Sequence, residues 1–425
     1  MPDRNKIQIS VLDFPCMPAH PADEQLLQRA LDLAREGIGL ASPNPYVGAV
    51  IADVNGNVAG TGIYTYAGVK HAEVLALESA GARARGGTLF INLEPHAHQG
   101  RTPPCTDALI AASIRRVVAS MPDPNPKVSG RGFEQLRAAG VQVEVGGLEV
   151  QARRLNEAFT CYIRHGRPLV TLKSAMTLDG KIAPSPEASK QSKEIRTEGG
   201  FTSAGFRGTG FAGTGFAGTW ITGELARAHA HELRHQNDAL LVGIGTILAD
   251  NPLLSDRSGH ARRRPLFRVI LDSRLRLPIE SRLVQTVASE RKNDVLVFCS
   301  AAAARNNPPK KQHLEQLGIR VEESSVDQIS ANLDLTPVLR RLGQLEITSL
   351  MIEGGAAVNS AALAANVVDK VFLYYAPKIL GASAISFATN RAAVPALPRH
   401  INNVQLHRFG DDFGVEGYLR DPYAG

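Results

Sequence analysis

Two short elements in the first third of the chain carry side chains that can bind a metal ion and move a proton. The first is His-Ala-Glu at 71–73, and the second is a proline-rich block at 95–105 that ends in Cys105. A zinc ion in a hydrolase takes three protein ligands and keeps a fourth position for water, whose pKa it lowers toward neutrality. A carboxylate beside the metal can carry protons from that water to a leaving amine. The pattern therefore predicts a zinc site for deamination, in which His71 and Cys105 bind the metal and Glu73 is catalytic.

Each part of this pattern has an ordinary structural interpretation as well. A single H-x-E triplet is common, and a single cysteine is usually a small core residue. The combination is more specific, because both elements stand at predicted helix starts. A helix N-terminus favours the deprotonated thiolate that a metal requires.

Glycine-rich turns after two predicted strands mark a second site in the C-terminal half. Gly243-Ile244-Gly245-Thr246 follows one strand, and Glu353-Gly354-Gly355 follows another. Glycines at such turns let backbone amides approach a phosphate, although many serve only as turns. Arg234 and Arg257 offer guanidinium forks suited to a substrate phosphate, or to surface ion pairs. No G-x-G-x-x-G fingerprint accompanies these turns.

Alternating helix and strand patterns indicate an α/β fold in both halves. In the first half, a helix is predicted from Asp23, strands near 47–51, 88–92 and 116–120, and helices near 71–80 and 106–112. Asn55-Gly56 predicts a hairpin turn. In the second half, strands are predicted at 169–173, 239–242, 267–271, 294–298, 349–352 and 370–375. These patterns predict a loose tail at 1–21, one domain at 22–166 and another at 167–425.

One segment of the second domain departs from this alternation. From about 184 to 219 the chain is polar and then glycine-rich, with the pentads GFRGT, GFAGT and GFAGT. Such a tract buries little apolar area and has high conformational entropy. We expect a mobile surface insertion, with a lid or partner-binding loop as the alternative.

Composition excludes several classes of protein. The chain has 425 residues and a net charge of +6, without clustered Lys and Arg, so no nucleic-acid partner is indicated. Its four cysteines are too few and too scattered for a disulfide scaffold. No 18-residue apolar run and no secretory signal are present, so we expect no membrane association and a cytoplasmic protein.

The motifs of both halves resemble the bifunctional deaminase/reductase family of riboflavin biosynthesis. The resemblance covers roughly residues 24–420 and includes SPNPYVGAVI, HAEVLAL, LEPHAHQGRTPPC, LKSAMTLDGKIA and MIEGGAAVNSAAL. It implies a cytidine-deaminase-like three-layer domain followed by a dihydrofolate-reductase-like domain. The implied substrate is a phosphorylated aminopyrimidine riboside, the cofactors are Zn²⁺ and NADPH, and the assembly is a homo-oligomer.

The resemblance also assigns residues. It implies substrate contacts at Asn44, Arg101, Asp123, Asn125, Arg234, Leu254, Arg257 and Glu353. It implies NADPH contacts at Ala175, Trp220, Thr246, Asp250, Ser273, Gly355, Ala356, Ala357, Val358, Asn359, Ser360 and Ala361. Asn44, Asp123 and Asn125 could instead serve turns, and Trp220 could be a core residue.

The chain departs from the family pattern at two positions. His96 stands where the family has a metal-binding cysteine, and imidazole is itself a good zinc ligand. Gly218 stands where the family has a serine that contacts substrate. We therefore expect the metal ligands His71, His96 and Cys105. Two alternatives are a reductase with an inactive deaminase domain, and a non-catalytic assembly protein that binds through its repeat.

Overall fold

The computed structural model describes residues 21–99, 102–185, 220–327, 332–389 and 398–424. The expected tail and nearly all of the glycine-rich insertion, including Gly218, lie outside these residues. Within the described ranges, no helix combines the length and the apolar character needed to cross a bilayer. The described part divides into two compact units between Arg164 and His165.

The first unit is built on a five-stranded sheet of order β2-β1-β3-β4-β5, in which β1 is antiparallel to both neighbours and β3, β4 and β5 are parallel. The strands are β1 (Gly48–Ala52), β2 (Val58–Ile63), β3 (Thr88–Ile91), β4 (Arg116–Ala119) and β5 (Gln142–Val145). The helices are α1 (Pro21–Arg35), α2 (Ala72–Ala80), α3 (Cys105–Ala111), α4 (Arg131–Ala138), α5 (Glu149–Leu155) and α6 (Glu157–His165), and a 3₁₀ turn follows α2 at Gly81–Ala84.

Helices cover both faces of this sheet, so the unit has the three layers that the resemblance implied. On one face Leu27 and Ala30 of α1 pack with Val50 and Phe90. On the other face α2 lies directly on β2. A Cβ atom at Gly62 would come within 2.1 Å of the Ala72 carbonyl oxygen, so only glycine allows this approach. This contact fixes the start of α2, where His71 and Glu73 stand.

The second unit contains a nine-stranded sheet of order β11-β10-β9-β8-β12-β6-β13-β16-β15. Its strands are β6 (Leu169–Thr177), β8 (Ala239–Gly243), β9 (Phe267–Leu271), β10 (Val295–Ser300), β11 (Arg320–Ser324), β12 (Ser349–Ile352), β13 (Lys370–Ala376), β15 (Asn402–Phe409) and β16 (Asp412–Tyr418). The strands from β11 to β13 are parallel, and β16 and β15 add an antiparallel edge. A separate two-stranded ribbon pairs β7 (Lys181–Ala183) with β14 (Ile385–Ser386).

Helices and loops also cover both faces of the nine-stranded sheet. The helices are α7 (Glu224–Gln236), α8 (Ile244–Asp250), α9 (Arg282–Glu290), α10 (Ala301–Asn306), α11 (Pro308–Gln316), α12 (Leu335–Gln344) and α13 (Ala356–Ala364). Two apolar clusters lie on opposite faces of the strands, one around Val242 and Val297 and the other around Leu241 and Leu296. Strands that are buried on both faces have continuous apolar sequences, so these strands could be predicted from the sequence.

The predicted α/β class is confirmed, and the predicted elements form with small shifts in their bounds. The first helix begins at Pro21 rather than Asp23, and β6 continues to Thr177, beyond the predicted end at 173. Gly56 adopts the left-handed conformation, with φ of 83°, at the predicted hairpin turn. The described cysteines, Cys105, Cys161 and Cys299, are all buried.

Candidate active sites

Four side chains of the first unit converge in a cluster of potential metal ligands. One ligand atom from each of His71, Glu73, His96 and Cys105 lies within 4.8 Å of the others. His71 is the N-cap of α2, and Glu73 is in the first turn of that helix. The His96 carbonyl accepts a hydrogen bond of 3.0 Å from the Cys105 amide at the start of α3. Helix starts therefore place His71, Glu73 and Cys105, and the loop that leads into α3 places His96.

Burial favours the neutral forms of the groups in this cluster. Burial raises the pKa of the Cys105 thiol, and the neighbouring Glu73 raises it further. Burial also raises the pKa of Glu73 to about 7. Burial, followed by the proximity of His71 and His98, lowers the pKa of His96 to about 4. Two neutral imidazoles beside a buried thiol form a donor set that suits zinc, and the positive charge of the metal would stabilise the thiolate.

The His96 ring is oriented toward the other ligands. Its Nδ1 lies 3.1 Å from the Cys105 Sγ, which is a hydrogen-bond contact and is shorter than the roughly 3.6 Å between N and S ligands on one tetrahedral zinc. Its Nε2 is buried and has no hydrogen-bond partner among the described residues. His98 is exposed and is not a member of the cluster. The residues present therefore fit a three-ligand zinc site with Glu73 beside it.

Glu94, a buried carboxylate that sequence reasoning did not assign, organises the loop next to this cluster. One carboxylate oxygen accepts hydrogen bonds of 2.9 Å from the amides of Asp123 and Gly130, and the other accepts one of 2.8 Å from Gly132. A Cβ atom at Gly132 would lie 2.0 Å from the Pro95 carbonyl oxygen, so the loop contacts the 95–105 block directly. The sequence feature that could have identified Glu94 is its position two residues before His96.

Of the substrate residues that the resemblance implied for this unit, Asn44 lies beside the cluster, and Asp123 and Asn125 lie in the loop that Glu94 holds. Asn44 donates a hydrogen bond to the hydroxyl of Tyr64, whose ring packs edge-on against His71 at 5.4 Å. Asp123 accepts a 2.8 Å hydrogen bond from the Asn125 amide, so both residues also serve the turn. Burial raises the pKa of Asp123 to about 6. Arg101 lies outside the described residues.

The second unit has a cavity of about 670 Å³ at the carboxyl ends of its parallel strands. It runs past the ends of β9, β8, β12 and β6, which are neighbours in the sheet. This edge of an α/β sheet is where ligands bind. Both glycine turns line the cavity, and added Cβ atoms at Gly245 and Gly355 would meet nothing within 4 Å. Their backbones are therefore open to a ligand, which suits the phosphates of a dinucleotide.

Most of the cofactor residues that the resemblance implied line this cavity. Those present in its wall are Ala175, Thr246, Asp250, Ser273, Gly355, Ala356, Ala357, Val358 and Ala361. Asn359 is fully buried and donates to the Phe387 carbonyl oxygen, and Ser360 bonds to the Ala356 carbonyl oxygen and the Thr389 amide. Trp220 is 63% exposed beneath the Arg227 guanidinium and is not among the lining residues. Trp220 is therefore not a core residue.

A buried network of charges stands at the β6–β12 side of the cavity. Arg234 donates two hydrogen bonds, of 2.8 and 2.7 Å, to the carboxylate of Glu353. The ammonium of Lys173 lies 3.9 Å from the same carboxylate. Burial alone would raise the pKa of Glu353, but Lys173 and Arg234 outweigh it and hold the pKa at about 2. The guanidinium fork of Arg234 therefore binds the Glu353 carboxylate. The sequence analysis did not assign Lys173, because this residue lies inside a strand motif.

The remaining two substrate residues lie on the segment that follows α8. Arg234 also donates a 3.0 Å hydrogen bond to the Ser255 carbonyl oxygen, which connects this segment to the buried network. Arg257 is exposed beside it, whereas Leu254 is buried with a left-handed φ of 55°. A branched residue held in that conformation is strained, and such strain is frequent at ligand sites.

Sequence profiles of two families match the two halves of the chain. The cytidine and deoxycytidylate deaminase zinc-binding region matches residues 20–121, and the RibD C-terminal domain matches residues 209–413. The first match contains all four members of the metal-ligand cluster. The second contains both glycine turns and the Arg234–Glu353 ion pair.

Relatives and solved structures match nearly the whole chain. The riboflavin biosynthesis protein RibD of Synechocystis is 38% identical over 94% of this chain and 96% of its own length. RibD of Aquifex aeolicus is 38% identical over 84% of this chain and 88% of its own length. The structure of Acinetobacter baumannii RibD superposes with a TM-score of 0.74 at 32% identity, covering 93% of this chain and 98% of that chain. A diaminohydroxyphosphoribosylaminopyrimidine deaminase/5-amino-6-(5-phosphoribosylamino)uracil reductase from Thermotoga maritima gives 0.70 at 35% identity, with coverage of 93% and 98%. The chain belongs to the RibD family of riboflavin biosynthesis proteins.

Proposed function

We propose that this chain is a bifunctional enzyme of riboflavin biosynthesis, which deaminates a phosphorylated diaminopyrimidine riboside and then reduces its ribosyl group to a ribityl chain. The deaminase domain corresponds to 22–166 and the reductase domain to 167–425. The observation that carries the deaminase assignment is the convergence of His71, Glu73, His96 and Cys105 within 4.8 Å. It favours two activities over a reductase with an inactive N-terminal domain.

In the deaminase site, His71, His96 and Cys105 hold zinc, which supplies a polarised water when it is bound. Glu73 lies against this position with its carboxyl buried. A carboxyl in this position can accept a proton from the nucleophile and donate it to the departing amine. Asn44, Arg101, Asp123 and Asn125 bind and orient the pyrimidine and its ribosyl phosphate.

In the reductase site, the glycine turns and the helix starts beside them hold NADPH, which supplies the hydride when it is bound. Trp220, Asn359 and Ser360 complete the cofactor contacts that we propose. Glu353 stays ionised beside Lys173 and Arg234, so this network presents fixed charges to the ribosyl group. Leu254 and Arg257 bind the substrate on the adjacent segment.

Substitution of Glu73→Gln separates the proposed functions. The amide keeps the size of the side chain but cannot carry the proton, so deamination should fall by about 10²–10⁴-fold. The zinc content and the NADPH-dependent reduction of the deaminated substrate should stay at wild-type levels. Glu78→Gln, on the exposed side of the same helix, is the matched control. Wild-type protein that reduces its substrate but holds no zinc and deaminates nothing would instead establish the reductase-only alternative.

We further propose that the chain assembles as a homo-oligomer in the cytoplasm and binds no nucleic acid. The support is the family and the modest net charge of +6, which is not concentrated in one segment. Light scattering of the purified full chain tests the assembly, and a single monomeric mass at micromolar concentration would refute it.

A further inference from the structure

Lys173 brings a weakly held ammonium group to the wall of the cofactor cavity. Its side chain is 15% exposed, and Arg234 already binds both oxygens of the neighbouring Glu353 carboxylate. The Lys173 nitrogen is 3.9 Å from this carboxylate, which is longer than a hydrogen bond, and it has no hydrogen-bond partner among the described residues. A lysine side chain is a point charge on a flexible stem of four carbons. A further contact must therefore define where this charge stands.

The ring of Tyr374 on β13 provides this contact. β13 pairs in parallel with β6, and Tyr374 stands opposite Ala175, two residues beyond Lys173. The side chains of Tyr374 and Lys173 therefore lie on the same face of the sheet. The Lys173 nitrogen is 5.6 Å from the centroid of the Tyr374 ring. A cation at this distance is attracted by the electrons of an aromatic face, most strongly where water is excluded. This contact leaves the N–H groups of the ammonium available to a ligand in the cavity.

Helix α7 fixes the Tyr374 ring at its hydroxyl end. The Nδ1 atom of His229 on this helix is 2.7 Å from the Tyr374 hydroxyl oxygen, a hydrogen-bond distance. Burial lowers the pKa of His229 and raises the pKa of Tyr374, so the bond joins two neutral groups at neutral pH. The ring is buried, and its centroid lies 4.7 Å from that of Phe372 and 5.5 Å from that of Phe409. Its position is therefore set by the packed sheet and helix before any ligand binds.

We propose that Tyr374 is a positioning residue of the reductase, whose ring holds the Lys173 ammonium at the cavity wall while His229 holds the ring. Tyr374 and His229 are not among the described residues that line the cavity, so both act through Lys173. The inference rests on the proposed reductase function and deepens it, because the substrate then meets a cation whose place is fixed in advance. Such preorganisation spares the cost of ordering a flexible side chain during binding.

Steady-state reduction of the deaminated substrate by the full chain tests this proposal. Tyr374→Leu removes the ring, so kcat/KM should fall about tenfold, as expected for the loss of a cation–π contact in a desolvated site. Tyr374→Phe retains the aromatic face and should keep more than about a third of the wild-type kcat/KM. The control is Tyr375→Leu, which removes a ring from the opposite face of the same strand, where it stacks on Phe413. This control should leave kcat/KM within about twofold of the wild type, and all three variants should bind NADP⁺ within about twofold of it.

A double-mutant cycle separates the positioning of Lys173 from general packing. The affinity for the deaminated substrate is measured by calorimetry with NADP⁺ bound, in the wild type, Tyr374→Leu, Lys173→Met and the double variant. Without an ammonium to position, Tyr374→Leu should lower this affinity by less than about twofold in the Lys173→Met background. Equal losses in the two backgrounds would overturn the positioning role. If Lys173→Met binds no substrate, the contrast between Tyr374→Phe and Tyr374→Leu decides, and equal losses in those two variants would overturn the role.

Tyr374→Met replaces the leucine variant if that variant does not fold, because the flexible thioether side chain fills irregular space without providing an aromatic face. Wild-type kcat/KM in a folded variant without the ring would overturn the role of Tyr374 while leaving the reductase function intact. A wild-type chain that does not reduce the deaminated substrate with NADPH would overturn the proposed reductase function and this inference with it.

Discussion

Replacing the carboxylate of Glu94 by an amide should destabilise the deaminase domain more than any exposed acidic substitution. In Glu94→Gln, one of the two carboxylate oxygens becomes an NH₂ donor. In the wild type, one oxygen accepts hydrogen bonds from the amides of Asp123 and Gly130. The other accepts them from the amides of Gly132 and, at 3.4 Å, Phe133. Whichever oxygen is replaced, the new NH₂ group therefore faces two backbone N–H donors. Two buried hydrogen bonds to a charged acceptor are lost, at about 1.5–3 kcal/mol each, which gives about 3–6 kcal/mol.

The assay must report the first unit separately from the second. The only tryptophan of the chain, Trp220, is in the second unit, so its fluorescence follows the reductase domain alone. Far-ultraviolet circular dichroism in urea follows both units, and hydrogen exchange of peptides from 123–133 follows the loop itself. We expect the loss of stability to appear as an earlier circular dichroism transition in urea, and we expect faster hydrogen exchange in this loop. Deamination should weaken as well, since Asp123 and Asn125 belong to the loop.

The matched control is Glu149→Gln, which removes the charge of an exposed carboxylate from an i,i+4 pair with Arg153. Its effect should stay near 0.5 kcal/mol, as for other exposed helical pairs. A change below about 1 kcal/mol in Glu94→Gln, together with unaltered exchange at 123–133, would refute the role assigned to this carboxylate.

Two further substitutions test the ligand sites. In His96→Cys, zinc affinity and the rate of deamination should stay the same or rise, because a second thiolate strengthens zinc binding. Zinc affinity is measured by competition with a chelator. A large loss of either would show that the site has adapted to imidazole. Gly355→Val should lower NADP⁺ affinity about tenfold or more without shifting the unfolding midpoint, since its side chain would enter the open cavity. Gly355→Ala is its smaller control, and unchanged binding in both variants would contradict the placement of the cofactor.

Local patterns in the sequence predicted the α/β class and three members of the metal-ligand cluster, whereas the three layers and the place of His96 were implied by the family resemblance. Apolar runs predicted the buried strands, and residues at helix starts predicted where His71, Glu73 and Cys105 meet. The antiparallel β15–β16 edge was not predicted, since its exposed positions break the apolar pattern. Lys173 and Glu94 were missed because their roles come from partners far along the chain, such as Glu353 and Gly132. Pairing across the fold leaves no periodic signal in a single sequence.

The hydrogen bond from the Cys105 amide to the His96 carbonyl has an evolutionary consequence. The carbonyl belongs to the backbone, so residue 96 can accept the hydrogen bond from the first amide of α3 whichever side chain it carries. A lineage can therefore exchange thiolate for imidazole at this position without reshaping the helix that delivers Cys105. The chemistry of the metal centre can drift in single steps while its architecture is inherited unchanged.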